Sequence, residues 1–327
     1  MNDTILEAVD LTKVFTVKNS FGSGKGQSLR AVDGVSLTVR KGEIVGVVGE
    51  SGCGKSSLGR CLLKLSDPTS GTLKFEGRDI TRLSSFEMRP LRPRMQMVFQ
   101  DPYASLNPRR RVRDIITEPL RVHRKDDGTR RSSMEIAARL DELIDLVGLS
   151  PDHLQRFPHE FSGGQRQRIG IARALALNPA LIVADESVSA LDVSVQAQIV
   201  NLFMDLQEKL GIACIFISHD LSVIRQISSV TVVMYLGKVV EQGPTEQLFS
   251  TPAHPYSNAL LSAVPVPHGA ERQRDRMVLT GDVPSPLNPP SGCRFRSRCP
   301  KSEAICAREQ PELHQVRGQM VACHFPT

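Results

Sequence analysis

The sequence predicts an α/β fold with a mainly parallel sheet that is covered by helices on both faces. Three observations predict it. The apolar run 43–48 enters a glycine-rich loop, and residues 56–64 continue from that loop as a helix. Two further apolar runs, 180–184 and 212–217, read as buried strands separated by a helical pattern at 193–210. Strands that alternate with helices favour a parallel sheet, because each parallel crossover needs a returning helix.

The remaining elements follow from the spacing of apolar residues along the chain. They are strands at 5–18, 29–40, 95–99, 229–235 and 238–242, and helices at 112–121 and 134–147. The first two strands have the alternation of an antiparallel pair. Gly148 is expected to end the second of the two helices.

The predicted domains follow from this order of elements. Residues 1–100 and 161–250 form a nucleotide-binding core with an antiparallel β subdomain, and residues 101–160 form a helical subdomain. Proline-rich stretches at 264–268 and 284–290 mark the boundary of a C-terminal region, 251–327.

Composition restricts the class of protein. The 327 residues are 40% apolar and 23% charged, as expected for a globular protein with a substantial core. No apolar run approaches the roughly 18 residues that a membrane-spanning helix needs. The N-terminus has no basic segment followed by an apolar one, so nothing suggests secretion. We therefore expect a cytoplasmic chain that works at a membrane only through a partner.

Much of the net charge of +6 is concentrated in a basic cluster between residues 89 and 125. Its members are Arg89, Arg92, Arg94, Arg109, Arg110, Arg111, Arg113, Arg121, Arg124 and Lys125. Such a cluster could contact nucleic acid phosphates. A solvated face, a docking surface or a position near lipid headgroups is the favoured alternative, because charge runs are usually solvated. Tyr103 is nearly alone as an aromatic residue among these arginines, too few for base stacking, so we expect no nucleic-acid partner.

The loop between the first parallel strand and its helix carries the strongest motif. Gly49 to Ser56 fits the phosphate-binding pattern G-x-x-x-x-G-K-[ST]. Glycines let successive backbone N–H groups turn toward a triphosphate, and the helix N-terminus adds partial positive charge. Lys55 would contact the β- and γ-phosphates, and Ser56 would offer its hydroxyl to Mg²⁺. The predicted nucleotide contacts here are Gly49, Ser51, Gly52, Cys53, Gly54, Lys55, Ser56 and Ser57.

An acidic pair, Asp185 and Glu186, follows the apolar strand 180–184. An Asp at the carboxyl end of a strand can hold the water shell of Mg²⁺. Glu186 would then serve as general base, or orient the water that attacks the γ-phosphate. The alternative is a surface acidic pair at a strand end, and the order of the motifs argues against it.

A second anion-binding candidate is Ser162-Gly163-Gly164-Gln165, which follows Phe161. It combines a hydroxyl and glycine amides with a helix predicted to start at Gln165. Alone, this string is equally typical of a loop-to-helix turn.

These three motifs in this order resemble the ATP-binding cassette (ABC) family over residues 5 to about 250. The resemblance implies that Ser162–Gln165 of one subunit closes over the ATP held by the other, so this chain is half of a two-subunit motor. Two departures are Phe161, where the family more often has Leu, and Ser187, where it typically has Pro. We expect little effect of Ser187 on the chemistry, because Asp185 and Glu186 are intact.

The resemblance also implies roles for four single residues. Gln100 would sense Mg²⁺ and the membrane partner, and Asp192, at the end of Ser189–Asp192, would lie at the subunit contact. His219 would contact the γ-phosphate. Phe15 is the candidate to stack on adenine, with core packing as its alternative.

A narrower resemblance is to the ATP-binding subunits of dipeptide/oligopeptide importers. It depends on Gln100–Pro108, Ser189–Ser194 and His254–Tyr256 together with the cysteine-rich tail. It implies a paralogous second ATPase, two transmembrane permeases and, indirectly, an extracytoplasmic peptide-binding protein. The chain would lie on the cytoplasmic face of the inner membrane. Nickel or glutathione import, and a soluble ABC ATPase acting on nucleic acid or ribosomes, are the alternatives.

Four of the seven cysteines crowd into the tail: Cys293, Cys299, Cys306 and Cys323. In a cytosolic chain such a cluster suggests a metal more than disulfides. A [4Fe–4S] cluster is the favoured interpretation. Zinc, with His314 or His324 as substitute ligands, is the alternative, and free thiols are the third. The tail has few apolar residues, so we expect a small appendage that a metal holds together.

Overall fold

The computed structural model describes residues 3–17, 27–125, 127–263 and 281–327. The strands are β1 Thr4–Val17, β2 Gln27–Arg40, β3 Ile44–Val48, β4 Ser70–Phe75, β5 Arg78–Asp79, β6 Met95–Val98, β7 Leu181–Asp185, β8 Ala213–Ile217, β9 Val230–Tyr235, β10 Lys238–Pro244, β11 His314–Val316 and β12 Gln319–Val321. The α-helices are α1 Lys55–Leu62, α2 Pro102–Ser105, α3 Val112–Val122, α4 Ser133–Val147, α5 Gly163–Leu175, α6 Val193–Leu210, α7 Leu221–Ile227, α8 Thr245–Ser250, α9 Pro255–Ser262 and α10 Ala304–Arg308.

The predicted strands and helices are confirmed, with bounds that move by up to about two residues, as is usual at element ends. The proline-rich stretch 264–268 lies outside the described residues. The chain divides into two compact units. The first comprises residues up to 5, 39–44 and 82–218, and the second comprises 6–38, 45–81 and 219–327.

In the first unit three parallel strands lie in the order β8-β7-β6. The residues of β7 and β8 are all buried, which explains their continuous apolar sequence. Helix α4 begins with a capping box between Ser132 and Glu135. It ends at Gly148, whose φ of 65° is the left-handed conformation that glycine adopts without strain, as predicted.

Several members of the basic cluster pair within the same unit. Arg110 Nη1 lies 2.6 Å from Glu118, and Arg121 Nη1 lies 3.2 Å from Asp114. Arg111 Nη1 donates to the Gln155 side chain at 3.1 Å, and its guanidinium lies over the Phe157 ring. These positive charges are therefore partly compensated by neighbours in the helical segments.

The second unit contains two sheets. The antiparallel sheet has the order β2-β1-β4-β5, and its buried side includes Leu6, Val32 and Phe75. In the second sheet the order is β3-β9-β10-β12-β11. Strand β3 pairs parallel with β9, whereas β9–β10 and β10–β12 are antiparallel. The sheet is thus mixed.

The cysteine-rich tail is built into this second unit, so the expected separate appendage is not supported. Strand β12 pairs with β10, with Glu241 opposite Val321. Phe295 is 1% exposed and its ring lies 5.3 Å from each of the rings of Tyr235 and Tyr256. The expectation failed because the tail packs on apolar residues supplied by distant parts of the chain, which its own composition does not reveal.

A buried polar pair helps to fix the chain before the tail. The Glu241 carboxylate accepts the backbone N–H groups of Ala253 and His254, at 2.8 and 2.9 Å. His254 caps α9, and its Nδ1 accepts the Tyr256 N–H at 3.0 Å. Burial lowers the pKa of His254 to about 3, so the imidazole is neutral at physiological pH. No described helix is both long enough and apolar enough to cross a bilayer.

Candidate active site

The phosphate-binding loop connects β3 to α1 in the second unit. Its backbone needs glycine, because φ is 152° at Gly49 and 106° at Gly54. A Cβ at Gly54 would lie 1.9 Å from the Ala31 carbonyl oxygen, and a Cβ at Gly49 would lie 2.2 Å from that of Met234. The motif glycines therefore let the loop pass close to neighbouring backbone.

Lys55 starts helix α1 and extends its side chain back across the loop. Its side-chain Nζ donates to the carbonyl oxygens of Gly49 at 2.8 Å and Glu50 at 3.1 Å. The residue is only 4% exposed. The ammonium group thus lies inside the loop, next to the N-terminus of the helix, where an anion is favoured.

The other loop residues predicted to contact the nucleotide are close to Lys55 in the sequence. Ser51 and Gly52 are exposed, whereas Cys53 is buried. Ser56 and Ser57 are half-buried in the first turn of α1. All of these predicted contacts therefore lie in the connection from β3 to α1 or in the first turn of α1.

Two further predicted contacts belong to the second unit. Phe15 in β1 is 38% exposed, and Lys13 Nζ lies 5.0 Å from its ring centroid. The exposed face argues against a purely core role for Phe15. His219 is also exposed, and Asp220 after it caps α7 by accepting the Ser222 N–H at 2.8 Å.

The first unit brings together Gln100 and Glu186, which are 86 positions apart in the sequence. Val98 and Ala184 are register partners in the parallel pair β6–β7, so the two residues leave the same sheet edge. Gln100 Nε2 donates to Glu186 Oε2 at 2.9 Å. Asp185, at the end of β7, is 3% exposed.

The backbone of Glu186 has an uncommon conformation. Its φ of 43° is left-handed, which costs energy in a residue with a Cβ. Its N–H donates to the carbonyl oxygen of Ile217, at 3.0 Å. The neighbouring strand therefore fixes the turn that presents the Glu186 carboxylate.

The Ser162–Gln165 element forms the start of helix α5, which begins at Gly163 and not at Gln165 as predicted. The Ser162 hydroxyl accepts the Gln165 N–H at 3.3 Å, and Gln165 Oε1 accepts the Ser162 N–H at 3.1 Å. This capping box moves the helix start two residues toward the N-terminus. A Cβ at Gly164 would lie 2.3 Å from Val195 Cγ1, so only glycine fits there without a shift of Val195.

The two residues that depart from the family pattern, Phe161 and Ser187, are both buried. Phe161 is 5% exposed and packs edge-on against the His153 ring, with centroids 5.2 Å apart. Ser187 is 1% exposed, and its hydroxyl has no hydrogen-bond partner among the described residues. Asp192 is exposed at the start of α6, where its carbonyl oxygen accepts the Gln196 N–H at 2.8 Å.

Sequence reasoning missed two contacts to Glu50 in the phosphate-binding loop. The Tyr256 hydroxyl accepts the Glu50 N–H at 3.0 Å, and the Arg298 guanidinium pairs with the Glu50 carboxylate. Tyr256 belongs to the His254–Tyr256 motif, which does not by itself predict a contact with the loop. Nothing local in the sequence connects position 298 to position 50.

Comparison with known proteins agrees with this geometry. The profile of the family described as "ABC transporter" matches residues 32–189. The profile described as "Oligopeptide/dipeptide transporter, C-terminal region" matches residues 240–306.

Full-length relatives are also similar. The chain is 50% identical to the oligopeptide transport ATP-binding protein AppF of Bacillus subtilis, over 99% of this chain and 98% of the relative. It is 47% identical to the di/tripeptide transport ATP-binding protein DppF of Pseudomonas aeruginosa, over 98% of each chain.

Among solved structures, the ATP-binding cassette MJ0796 aligns with a TM-score of 0.64 and 28% identity. The alignment covers 74% of this chain and 99% of that one, which was solved as a dimer in a post-hydrolysis state with ADP and Pi. The fold is therefore that of an ABC cassette. This chain belongs to the family of ABC transporter ATP-binding subunits of the oligopeptide/dipeptide type, and it is an ABC-type ATPase.

Proposed function

We propose that this chain hydrolyses ATP to drive the import of dipeptides and oligopeptides through a membrane ABC transporter. Similarity over nearly the full length to subunits named for peptide transport supports this substrate class. The C-terminal profile match supports it independently of the cassette. The proposed complex has a paralogous second ATPase, two permeases and an extracytoplasmic binding protein, with this chain on the cytoplasmic face of the inner membrane.

The observation that carries the proposed mechanism is the hydrogen bond between Gln100 and Glu186. It holds the Glu186 carboxylate at the carboxyl end of β7, beside Asp185. The proposed general base is Glu186, which accepts a proton from the attacking water. Water then attacks the γ-phosphorus, the bond to the β-phosphate oxygen breaks, and ADP and phosphate result.

The other residues of the mechanism bind and orient the nucleotide. Lys55 and the loop amides hold the β- and γ-phosphates, Phe15 stacks on adenine, and His219 contacts the γ-phosphate. The set Ser56, Gln100 and Asp185 offers only oxygen ligands, as Mg²⁺ prefers. Bound Mg²⁺ would neutralise charge on the phosphate oxygens.

In the proposed closed state the Ser162–Gln165 element of this chain contacts the ATP of the neighbouring cassette. Ser162 is exposed and caps the N-terminus of α5. The partial positive charge and the first backbone amides of this helix favour the binding of an anion. The exposed Asp192 lies at the proposed subunit contact. Closure and reopening of two such cassettes would move the permeases.

The association with permeases can be tested by purifying the tagged full-length chain from membranes in a mild detergent. We expect two integral membrane proteins and a second ATPase to co-purify with it. A chain that never associates with a permease but binds RNA would contradict the proposal and favour the alternative of a soluble ABC ATPase.

The [4Fe–4S] cluster predicted from the sequence for the four tail cysteines, with zinc as the alternative, stays a prediction. All seven cysteines are free thiols, and the Cys293 N–H donates to the Cys306 carbonyl oxygen at 2.8 Å. Burial, and then the other three thiols, raise the pKa of Cys293 to about 11. The tail as described does not fit a metal, however, because among the described residues no three His, Cys, Asp or Glu side chains form a metal-binding group.

If the sequence interpretation is right, anaerobically purified full-length protein should show a visible iron–sulfur absorbance band. Replacing Cys299 and Cys306 together with serine should remove the band, because both would be thiolate ligands. The matched control is Cys214→Ser, which replaces a buried cysteine in β8 that is not one of the four tail cysteines. A colourless protein with stoichiometric zinc would contradict the iron–sulfur assignment.

A further inference from the structure

Glu50 occupies the first variable position of the phosphate-binding loop, and a residue of the C-terminal tail holds its side chain. Arg298 Nη1 donates to Glu50 Oε2 at 2.8 Å, and Arg298 Nη2 donates to Oε1 at 3.0 Å. Two parallel bonds between a guanidinium and a carboxylate fix direction as well as distance. The side chains are 7% and 23% exposed, so water screens this ion pair far less than a surface pair.

The backbone of Glu50 is fixed from the same region. Its N–H donates to the Tyr256 hydroxyl at 3.0 Å, and Tyr256 is fully buried. Burial chiefly raises the pKa of Tyr256, so the phenol stays neutral. The ring packs at 4.7 Å from Tyr235, whose hydroxyl lies 3.5 Å from Arg298 Nη1. Side chain and backbone of Glu50 are therefore both anchored to C-terminal residues.

Close packing does not by itself fix this part of the loop. A cavity of about 220 Å³ borders the loop residues Glu50, Ser51, Gly52 and Cys53 on the side of the proline-rich segment 283–286. Side chains that border empty space lose packing contacts on that side. Directed bonds from Arg298 and Tyr256 therefore restrain Glu50 on the side where packing is incomplete.

Glu50 in turn contacts the residue that is proposed to bind phosphate. Its carbonyl oxygen accepts a hydrogen bond from Lys55 Nζ at 3.1 Å. The path from the tail to the ammonium group is therefore two contacts long: Arg298 to Glu50, and Glu50 to Lys55. In addition, an uncompensated carboxylate in this loop would repel a triphosphate, and the Arg298 guanidinium cancels that charge.

We infer that Arg298 is a positioning residue for the phosphate-binding loop, through which the folded C-terminal tail sets the affinity of the chain for ATP. This inference rests on the proposed role of the loop in holding the triphosphate. Without Arg298, the Glu50 carboxylate is left partly buried without its guanidinium partner, and the loop loses its side-chain anchor.

The test is the dissociation constant of ATP, measured on the full-length chain for Arg298→Gln in two backgrounds. In the wild-type background we expect the constant to rise about tenfold, within the range typical of coupled sites. In the Glu50→Gln background the same change should alter it by less than about twofold, because the charge that Arg298 compensates is absent. The dissociation constant of Arg298→Lys should lie between those of the wild type and Arg298→Gln. An ammonium group restores the positive charge but cannot make the two parallel hydrogen bonds of a guanidinium.

The matched control is Arg296→Gln, in the same short helical turn, where the guanidinium binds Ser291 and not the loop. We expect its ATP affinity to be that of the wild type. Thermal unfolding without nucleotide separates affinity from folding, and if Arg298→Gln fails to fold, the Arg298→Lys variant carries the test.

Two results would overturn the inference: wild-type ATP affinity in folded Arg298→Gln, or an equal loss with and without Glu50. Lys55→Ala distinguishes this failure from failure of the proposed loop function. If Lys55→Ala loses ATP binding while Arg298→Gln keeps it, only the positioning role is wrong. If Lys55→Ala binds ATP normally, the loop assignment and the inference both fail.

Discussion

Replacing Glu186 with glutamine is expected to slow ATP hydrolysis by roughly 100- to 10,000-fold, the range that a positioned general base contributes. Glutamine has nearly the same shape and can still hydrogen-bond Gln100, so the turn after β7 should persist. It cannot accept the proton from water, so ATP should bind but not turn over. The variant should therefore accumulate as an ATP-bound closed pair of cassettes, which phosphate release and size-exclusion chromatography would measure.

A matched control for this experiment is Glu142→Gln. Glu142 lies on helix α4 with its side chain 55% exposed, and it pairs with Arg139 at 2.6 Å. The substitution removes the same charge outside the candidate site, from a side chain that is mostly exposed and therefore screened by solvent. Full hydrolysis in Glu186→Gln would refute the catalytic role of Glu186.

Gly54→Ala is expected to abolish measurable ATP binding and to lower the free energy of unfolding. The φ of 106° is strained for any residue with a Cβ, and the new Cβ would lie 1.9 Å from the Ala31 carbonyl oxygen. Backbone must therefore move, and Gly54 directly precedes Lys55 at the helix start. Isothermal titration with ATP and urea denaturation would measure the two effects.

Gly52→Ala separates the clash from the strain. Gly52 also has a left-handed φ, of 79°, but apart from its chain neighbours no atom of the described residues lies within 4 Å of the added Cβ. Its cost should be that of the backbone conformation alone, about 1–2 kcal/mol. If Gly54→Ala binds ATP as well as Gly52→Ala does, the close approach of the loop to Ala31 has no functional consequence.

The sequence predicted the strands that end at the candidate catalytic residues, because apolar runs are local signals. Apolar runs define β6 and β7, and a parallel register brings the residues after them to one edge. The resemblance to the ABC family assigned Gln100 and Glu186 to one site, and this register agrees with the hydrogen bond between them. The predicted start of α5 is wrong by two residues, because Ser162 and Gln165 form a capping box that begins the helix at Gly163.

The tail could not be predicted in the same way. Its packing depends on contacts between segments far apart in the chain, such as Phe295 with Tyr235 and β12 with β10. The Arg298–Glu50 pair spans 248 positions, and no periodicity or motif connects its members. Such pairings are fixed by tertiary structure, and composition alone suggested a tail without a core.

The most direct test of the central claim is ATP hydrolysis by the complex that co-purifies with this chain, reconstituted in lipid with its binding protein. Hydrolysis should rise when a short peptide is added, and the rise should be lost when this chain carries Glu186→Gln. A hydrolysis rate that ignores peptides but responds to nickel or glutathione would contradict peptide import. A peptide response that survives Glu186→Gln unchanged would contradict the claim that this chain supplies the catalytic base.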